Sequence, residues 1–216
     1  VGQADYYQGK ERVFEYIAGN RALLPLSDLP LFVAQMKQRE ERHRDSLDRL
    51  AEAVRHVLRE IEAAGPLASR RIEWAGRTHA YWDNERLAPR TKETSFALHI
   101  LWEIGRLAVV GRSGAEILYD LAERALPADL LRQGAELGPA EAGKRLRHKY
   151  YRAFGIFDAQ HQIFGWQHLT AGQRQKAIEE DARAGLIEPL PIQGVKRTYW
   201  ALAGTAVLLA GRTTDQ

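Results

Sequence analysis

From Thr94 onwards the apolar residues Ala97, Leu101 and Ile104 recur at helical spacing, and Gly105 is placed to stop the helix they define. Lys92, Ser95, His99, Trp102 and Arg106 fall on the other face, so the pattern predicts a helix with one polar side. Two apolar runs follow, Leu107–Val110 and Ile117–Tyr119, flanking GRSGAE, whose two glycines suit a hairpin tip. A polar-faced helix running into a basic hairpin reads as the recognition helix and wing of a winged helix-turn-helix.

The flanking pattern extends this reading. Residues 36–49 are dense in both signs of charge, the mark of a solvated helix surface. Leu47, Leu50, Ala51, Val54, Leu58 and Ile61 continue as a helical stripe, and one long helix is predicted to stop at Ala63-Ala64-Gly65-Pro66. Ser27-Asp28 before Leu29-Pro30 marks an earlier helix start. A short extended piece around Leu67 and a brief helix from Ser69 through Glu73 lead to residues 74–88, an exposed loop whose Trp74, Tyr81 and Trp82 require partners.

A second round begins at Pro139. Leu146, Tyr150, Ala153 and Phe154 are predicted to face inwards, with Lys144, Arg145, Arg147, His148, Lys149 and Arg152 outside. Thr170 and Gln173 form a capping-box pair for a helix ending at Gly185. Leu186–Leu190 and Val195–Leu202 then flank Pro191-Ile192-Gln193-Gly194 as another hairpin. The expected fold is mainly α with small β-hairpins, arranged as tandem winged helix-turn-helix units. Its expected divisions are an N-terminal helical segment (1–43, a remnant of a larger part), a first winged helix (44–127), a second (139–202) and a tail (203–216). The apolar pairs Val13-Phe14 and Tyr16-Ile17 near one end, and an apolar run in the tail, suggest the middle of a longer protein.

Composition narrows the chemistry. Of 216 residues, 45% are hydrophobic and 27% charged, which is ordinary for a globular protein, and no apolar run is long enough to span a bilayer. There is no cysteine, so disulfides and thiolate chemistry are excluded, and a cytoplasmic location is expected. The seven histidines never fall three or four residues apart, so no helical metal-ligand pair exists, and no phosphate-binding glycine loop is present. No metal and no cofactor are expected. His161 and His168 read as surface or capping residues, and Glu15 as a hydrogen-bonded structural carboxylate. Net charge is +3 and the pI about 9.2, compatible with nucleic acid without demanding it.

Within this frame double-stranded DNA is the expected partner. Arg90, Thr91 and Lys92 sit at a helix N-terminus that already favours phosphate, and Ser95 and His99 lie one and two turns further on. Arg112 belongs to the first wing, and Lys196 and Arg197 to the second. Glu179, Glu180 and Asp181 would repel phosphate, which casts the second unit as a structural partner. No membrane partner is expected, and the oligomeric state is left open.

Three stretches carry a family resemblance: VFEYIAGNRALLPLSDLPLF, GPLASRRIE, and LHILWEIGRLAVVGRSGAEILYDLAERALP with its Tyr-Asp-Leu-x-Glu-Arg-x-x-Pro close. AEAGKRLRHKYYRAFGIFD extends it more loosely. Together they resemble the YcaQ-like winged-helix DNA glycosylases, bacterial proteins that remove alkylated bases and unhook interstrand crosslinks. The resemblance implies tandem winged helices forming a DNA-binding surface, and a Gln-x-Gln or Gln-x-Asp motif positioning water at C1′ of the damaged nucleotide. That motif belongs well upstream of the Phe-Glu-Tyr segment, whereas Gln3-Ala4-Asp5 lies just before it and reads as chance. The catalytic residues are therefore not assigned. Ile17 and Gly19 stand where the family carries tryptophan and histidine. An alternative without enzymatic activity is a winged-helix transcriptional regulator, and a third is a protein-interaction role for the wings.

Overall fold

A computed structural model describes residues 13–205. The chain forms two compact units, one holding the segment up to Ile17 together with Arg21–Ala142, the other Ala18–Asn20 together with Gly143 onwards.

The segment expected to be helical opens instead as a hairpin, β1 (Val13–Ala18) and β2 (Asn20–Pro25). The run VFEYIA is rich in β-branched and aromatic residues, and Gly19 takes φ +81°, the left-handed turn that a side chain would resist. The predicted long helix is three: α1 (Leu29–Arg42), α2 (Arg44–Arg49) and α3 (Ala51–Ala64). His43 and Leu50 leave helical geometry between them, with ψ near 5° and 15°. The breaks leave α2, none of whose residues is buried, to solvent, while Leu50 is itself buried in the core.

After α3 the chain turns at Gly65 into β3 (Leu67–Ala68) and a single 3-10 turn, Ser69–Arg71. Residues 72–92 form an insert closed by pairing of β4 (Arg77–Thr78) with β5 (Thr91–Lys92). Then come α4 (Glu93–Glu103), β6 (Leu107–Ser113) and β7 (Glu116–Leu121). The sheet order β3-β7-β6, with Tyr119 between Leu67 and Val109, is compatible with a winged helix-turn-helix. A short helix α5 (Ala122–Ala125) and α6 (Ala128–Glu136) finish the first unit. Gly134 of α6 seats the helix against Val33 and Pro30 of α1.

The second unit repeats the order. Helix α7 (Pro139–Phe154) leads to β8 (Ile156–Phe157), a 3-10 turn at Phe164–Trp166, α8 (Ala171–Arg183), β9 (Ile187–Leu190) and β10 (Tyr199–Leu202). Its sheet order is β8-β10-β9, so again the last strand lies in the middle, with Trp200 between Phe157 and Pro189. The Thr170–Gln173 capping box is formed in both directions. The core gathers Tyr150, Tyr151, Phe157, Phe164, Ile178 and Ile187. Two expectations on α7 reverse: Ala153 and Phe154 are exposed, and Arg147 is buried. Arg147 goes inside because Asp181 waits there: its Nε lies 3.0 Å from Asp181 Oδ2, which also accepts from the Tyr151 hydroxyl at 2.7 Å. Asp181 is therefore neutralised within the core and presents no charge to a passing phosphate.

Candidate nucleic-acid interface

The helix on which the DNA reading centred is not an open surface. Eight of the 11 residues of α4 are buried. Trp102, expected on the polar face, packs on Tyr16 at 5.8 Å between ring centroids, and its Nε1 donates to the Glu15 carbonyl at 3.0 Å. The β1 strand thus lies across α4, and the insert covers another side. Of the five residues predicted to share the outer face, Arg106 alone is exposed.

Beneath this cover lies a carboxylate that sequence reasoning missed. Glu103, at the end of α4, is 4% exposed. Its Oε2 is 2.7 Å from His43 Nε2 and 3.3 Å from Arg39 Nη1. Its Oε1 is 3.2 Å from His99 Nε2 and accepts from the Tyr81 hydroxyl at 3.0 Å, while Tyr81 and His99 meet at 2.6 Å. Burial opposes the charged carboxylate, but hydrogen bonds from His43 and His99 and the Arg39 charge outweigh it and hold its pKa well below the usual range. Burial and the neighbouring Glu103 push the Tyr81 hydroxyl up, so it remains a donor. The backbone joins in, since Tyr16 donates to the Glu103 carbonyl at 2.6 Å. A glutamate inside the apolar run LHILWEIG was a legible signal, whereas Arg39, His43 and Tyr81 come from other segments and could not be paired with it by spacing.

The residues expected to contact DNA divide by what they already hold. Thr91 Oγ1 donates to Asp83 Oδ2 at 2.7 Å, and Lys92 Nζ to the Ile72 carbonyl at 2.5 Å. Ser95 shares a 2.7 Å hydrogen bond with Ser69, and His99 belongs to the Glu103 cluster. Arg112 does not project from its wing: its Nη2 lies 2.6 Å from Glu15 Oε2, and Arg21 Nε lies 3.3 Å from the other oxygen. Glu15 is thus ion-paired as well as buried. Arg197 reaches Asp158 at 2.5 Å. Arg90 and Lys196 are exposed, and their side chains have no partner among the described residues. Gln3-Ala4-Asp5 lies outside the described residues. Among the described residues no cluster could hold a metal ion, and no helix is long and apolar enough to cross a membrane.

The segments that carried the resemblance meet one another in space. The buried Phe14-Glu15-Tyr16 of β1 binds the helix through Trp102 and Glu103 and the wing through Arg112. In the closing motif Arg124 pairs with Asp120 and donates to the Ile61 and Glu62 carbonyls, capping the C-terminus of α3. These motifs are the joints of the first unit.

Residues 3–215 match the family described as DNA glycosylase AlkZ-like. Among solved structures, the fold is similar to that of the Streptomyces sahachiroi DNA glycosylase AlkZ, with a TM-score of 0.54 and 16% identity. That likeness covers 94% of this chain and 56% of the other, so the chain spans a little over half of that protein's length. None of the curated proteins matches it. With nearly its whole length matched to the family, this chain belongs to the AlkZ-like DNA glycosylases.

Proposed function

We propose that this chain is the duplex-gripping portion of an enzyme that excises alkylated bases or unhooks interstrand crosslinks in DNA. The match over residues 3–215 carries the reading. It is supported by two units of winged-helix order, each with an exposed unpartnered cation, Arg90 in the first and Lys196 in the second. In this reading Arg90 and Lys196 meet phosphate directly, with Arg197 exchanging Asp158 for phosphate. Thr91, Lys92, Ser95, His99 and Arg112 hold the backbone that presents them. Phosphate contacts supply most of the affinity, so binding falls linearly with salt on logarithmic axes. The cell interior is the matching location for such an activity.

The test is release of base from alkylated or crosslinked duplex, comparing this chain with a version extended at both ends. This chain should bind duplex with little preference for sequence, and the extended version should release damaged base. Tight binding of one undamaged sequence, with no base release by either, would establish a regulator instead.

A further inference from the structure

The insert between the 3-10 turn and α4 carries two large aromatic side chains at the surface, Tyr81 and Trp82, 61% and 50% exposed, with Leu87 at 51%. Exposed aromatics on a mobile loop would be unremarkable, but this loop is fastened at every step. β4 pairs with β5 at its base, Asp83 accepts from the Ala80 amide and the Thr91 hydroxyl, and His79 Nε2 lies 2.8 Å from the Leu87 carbonyl. The rings are fixed as well. Tyr81 is tied at its hydroxyl to Glu103 and His99, and Trp82 stands edge-on to Tyr81 at 4.8 Å, to His99 at 4.9 Å and to Phe96 at 5.4 Å. Each ring has one side packed and a large part left to solvent.

The same insert carries three arginines. Arg77, Arg86 and Arg90 are all exposed, and Arg77 donates to the Arg90 carbonyl at 3.2 Å, which places those two together at the base of the insert. Asp83 is occupied by Thr91 and Ala80, leaving Glu73 and Glu85 as the insert's exposed carboxylates. Rigid aromatic faces on an insert that also carries exposed guanidinium groups fit one kind of partner best: bases that are out of the stack, on a strand whose phosphates the arginines hold.

We propose that Tyr81 and Trp82 form a preorganised platform on which an unpaired nucleobase stacks, with Arg86 and Arg90 binding the flanking phosphates. Glu103 and His99 act as positioning residues, holding the Tyr81 ring by its hydroxyl. The proposal rests on the DNA-binding reading above and sharpens it from duplex in general to sites where a base is already displaced. Stacking needs no particular base, because every base offers a π-face, so the platform recognises loss of pairing and not sequence.

Tryptophan fluorescence of the 216-residue chain tests this against three oligonucleotides: a paired duplex, the same duplex with a two-nucleotide bulge, and a single strand. The bulged duplex and the single strand should quench the emission, and the bulged duplex should bind more tightly than the paired one. Trp82→Leu should remove the quenching and weaken bulge binding about tenfold while leaving paired duplex within about twofold. Arg90→Ala should weaken all three ligands alike and reduce the salt slope by about one. Tyr81→Phe, which keeps the ring and loses its tether, should lie between wild type and Trp82→Leu on the bulged duplex. If paired duplex binds but Trp82→Leu leaves quenching and bulge affinity unchanged, the platform is overturned and the DNA-binding reading stands. If none of the three oligonucleotides binds, both fall.

Discussion

The two units follow one order of elements, yet the helix before the hairpin has opposite surroundings in each. In the first unit α4 is buried along eight of 11 residues, under β1 on one side and the insert on another. In the second, three of the 13 residues of α8 are buried. Both helices nevertheless sink one carboxylate. Glu103 is met by Arg39, His43, His99 and Tyr81, and Asp181 by Arg147 and Tyr151 with His148 at 3.7 Å. The common device is an arginine–tyrosine pair closing on a helix carboxylate. The difference is what the tyrosine does next: Tyr151 is fully buried, while Tyr81 carries the tether out to the surface. The order of elements therefore does not by itself leave this helix exposed, since a strand and an insert can cover it.

Removing each carboxylate should show the largest effect. Glu103→Ala leaves Arg39 buried without its partner and should cost about 3–5 kcal/mol, read from urea denaturation. Asp181→Ala should fall in the same range at its lower end, because Arg147 is nearer solvent, at 11% side-chain exposure against 8% for Arg39. A large loss in one variant and a negligible one in the other would break the parallel between the units.

Acid sharpens it. The depressed Glu103 pKa means that its contribution to stability is complete above the ordinary carboxylate value and is lost as pH falls from there towards the folded-state value. Stability should therefore decline below about pH 4 in part through this group, and Glu103→Gln should flatten that decline. An unchanged acid profile in Glu103→Gln would place the sensitivity elsewhere.

Packing around the first unit gives a smaller effect. A Cβ at Gly134 would run into the Val33 side chain and approach Pro30 Cα to 3.0 Å, so Gly134→Ala should cost about 1–3 kcal/mol despite better helix propensity. In the second unit Thr170→Ala removes one half of the α8 capping box and should cost about 1 kcal/mol. Thermal melts of the pair rank the two.

Local signals in the sequence were readable where the chain's own neighbours decide the structure. The Gly65 and Gly105 stops, the Thr170 cap and both hairpins follow from short-range chemistry, and so does the repeated order of elements. The misplaced Trp102, Arg112 and Arg147 have a common cause. Trp102 and Arg112 look like surface residues until β1, 87 and 97 positions earlier in the chain, supplies the Glu15 carbonyl and carboxylate that draw them in. Arg147 looks like one more cation on a basic face until Asp181 arrives from α8. Long-range ion pairing moved charges inward that periodicity alone put outside. The aromatic loop was visible as a problem, with tryptophans and a tyrosine lacking partners, but the Glu103 tether that solves half of it was not.

In the proposed function each unit offers DNA an exposed cationic edge, the insert in the first and the β9–β10 hairpin in the second. Titration of labelled paired duplex against the double variants Arg86→Glu/Arg90→Glu and Lys196→Glu/Arg197→Glu tests it directly. Each should lower affinity by about tenfold or more and make the remaining binding less sensitive to salt. Wild-type affinity and salt dependence in both variants would contradict it.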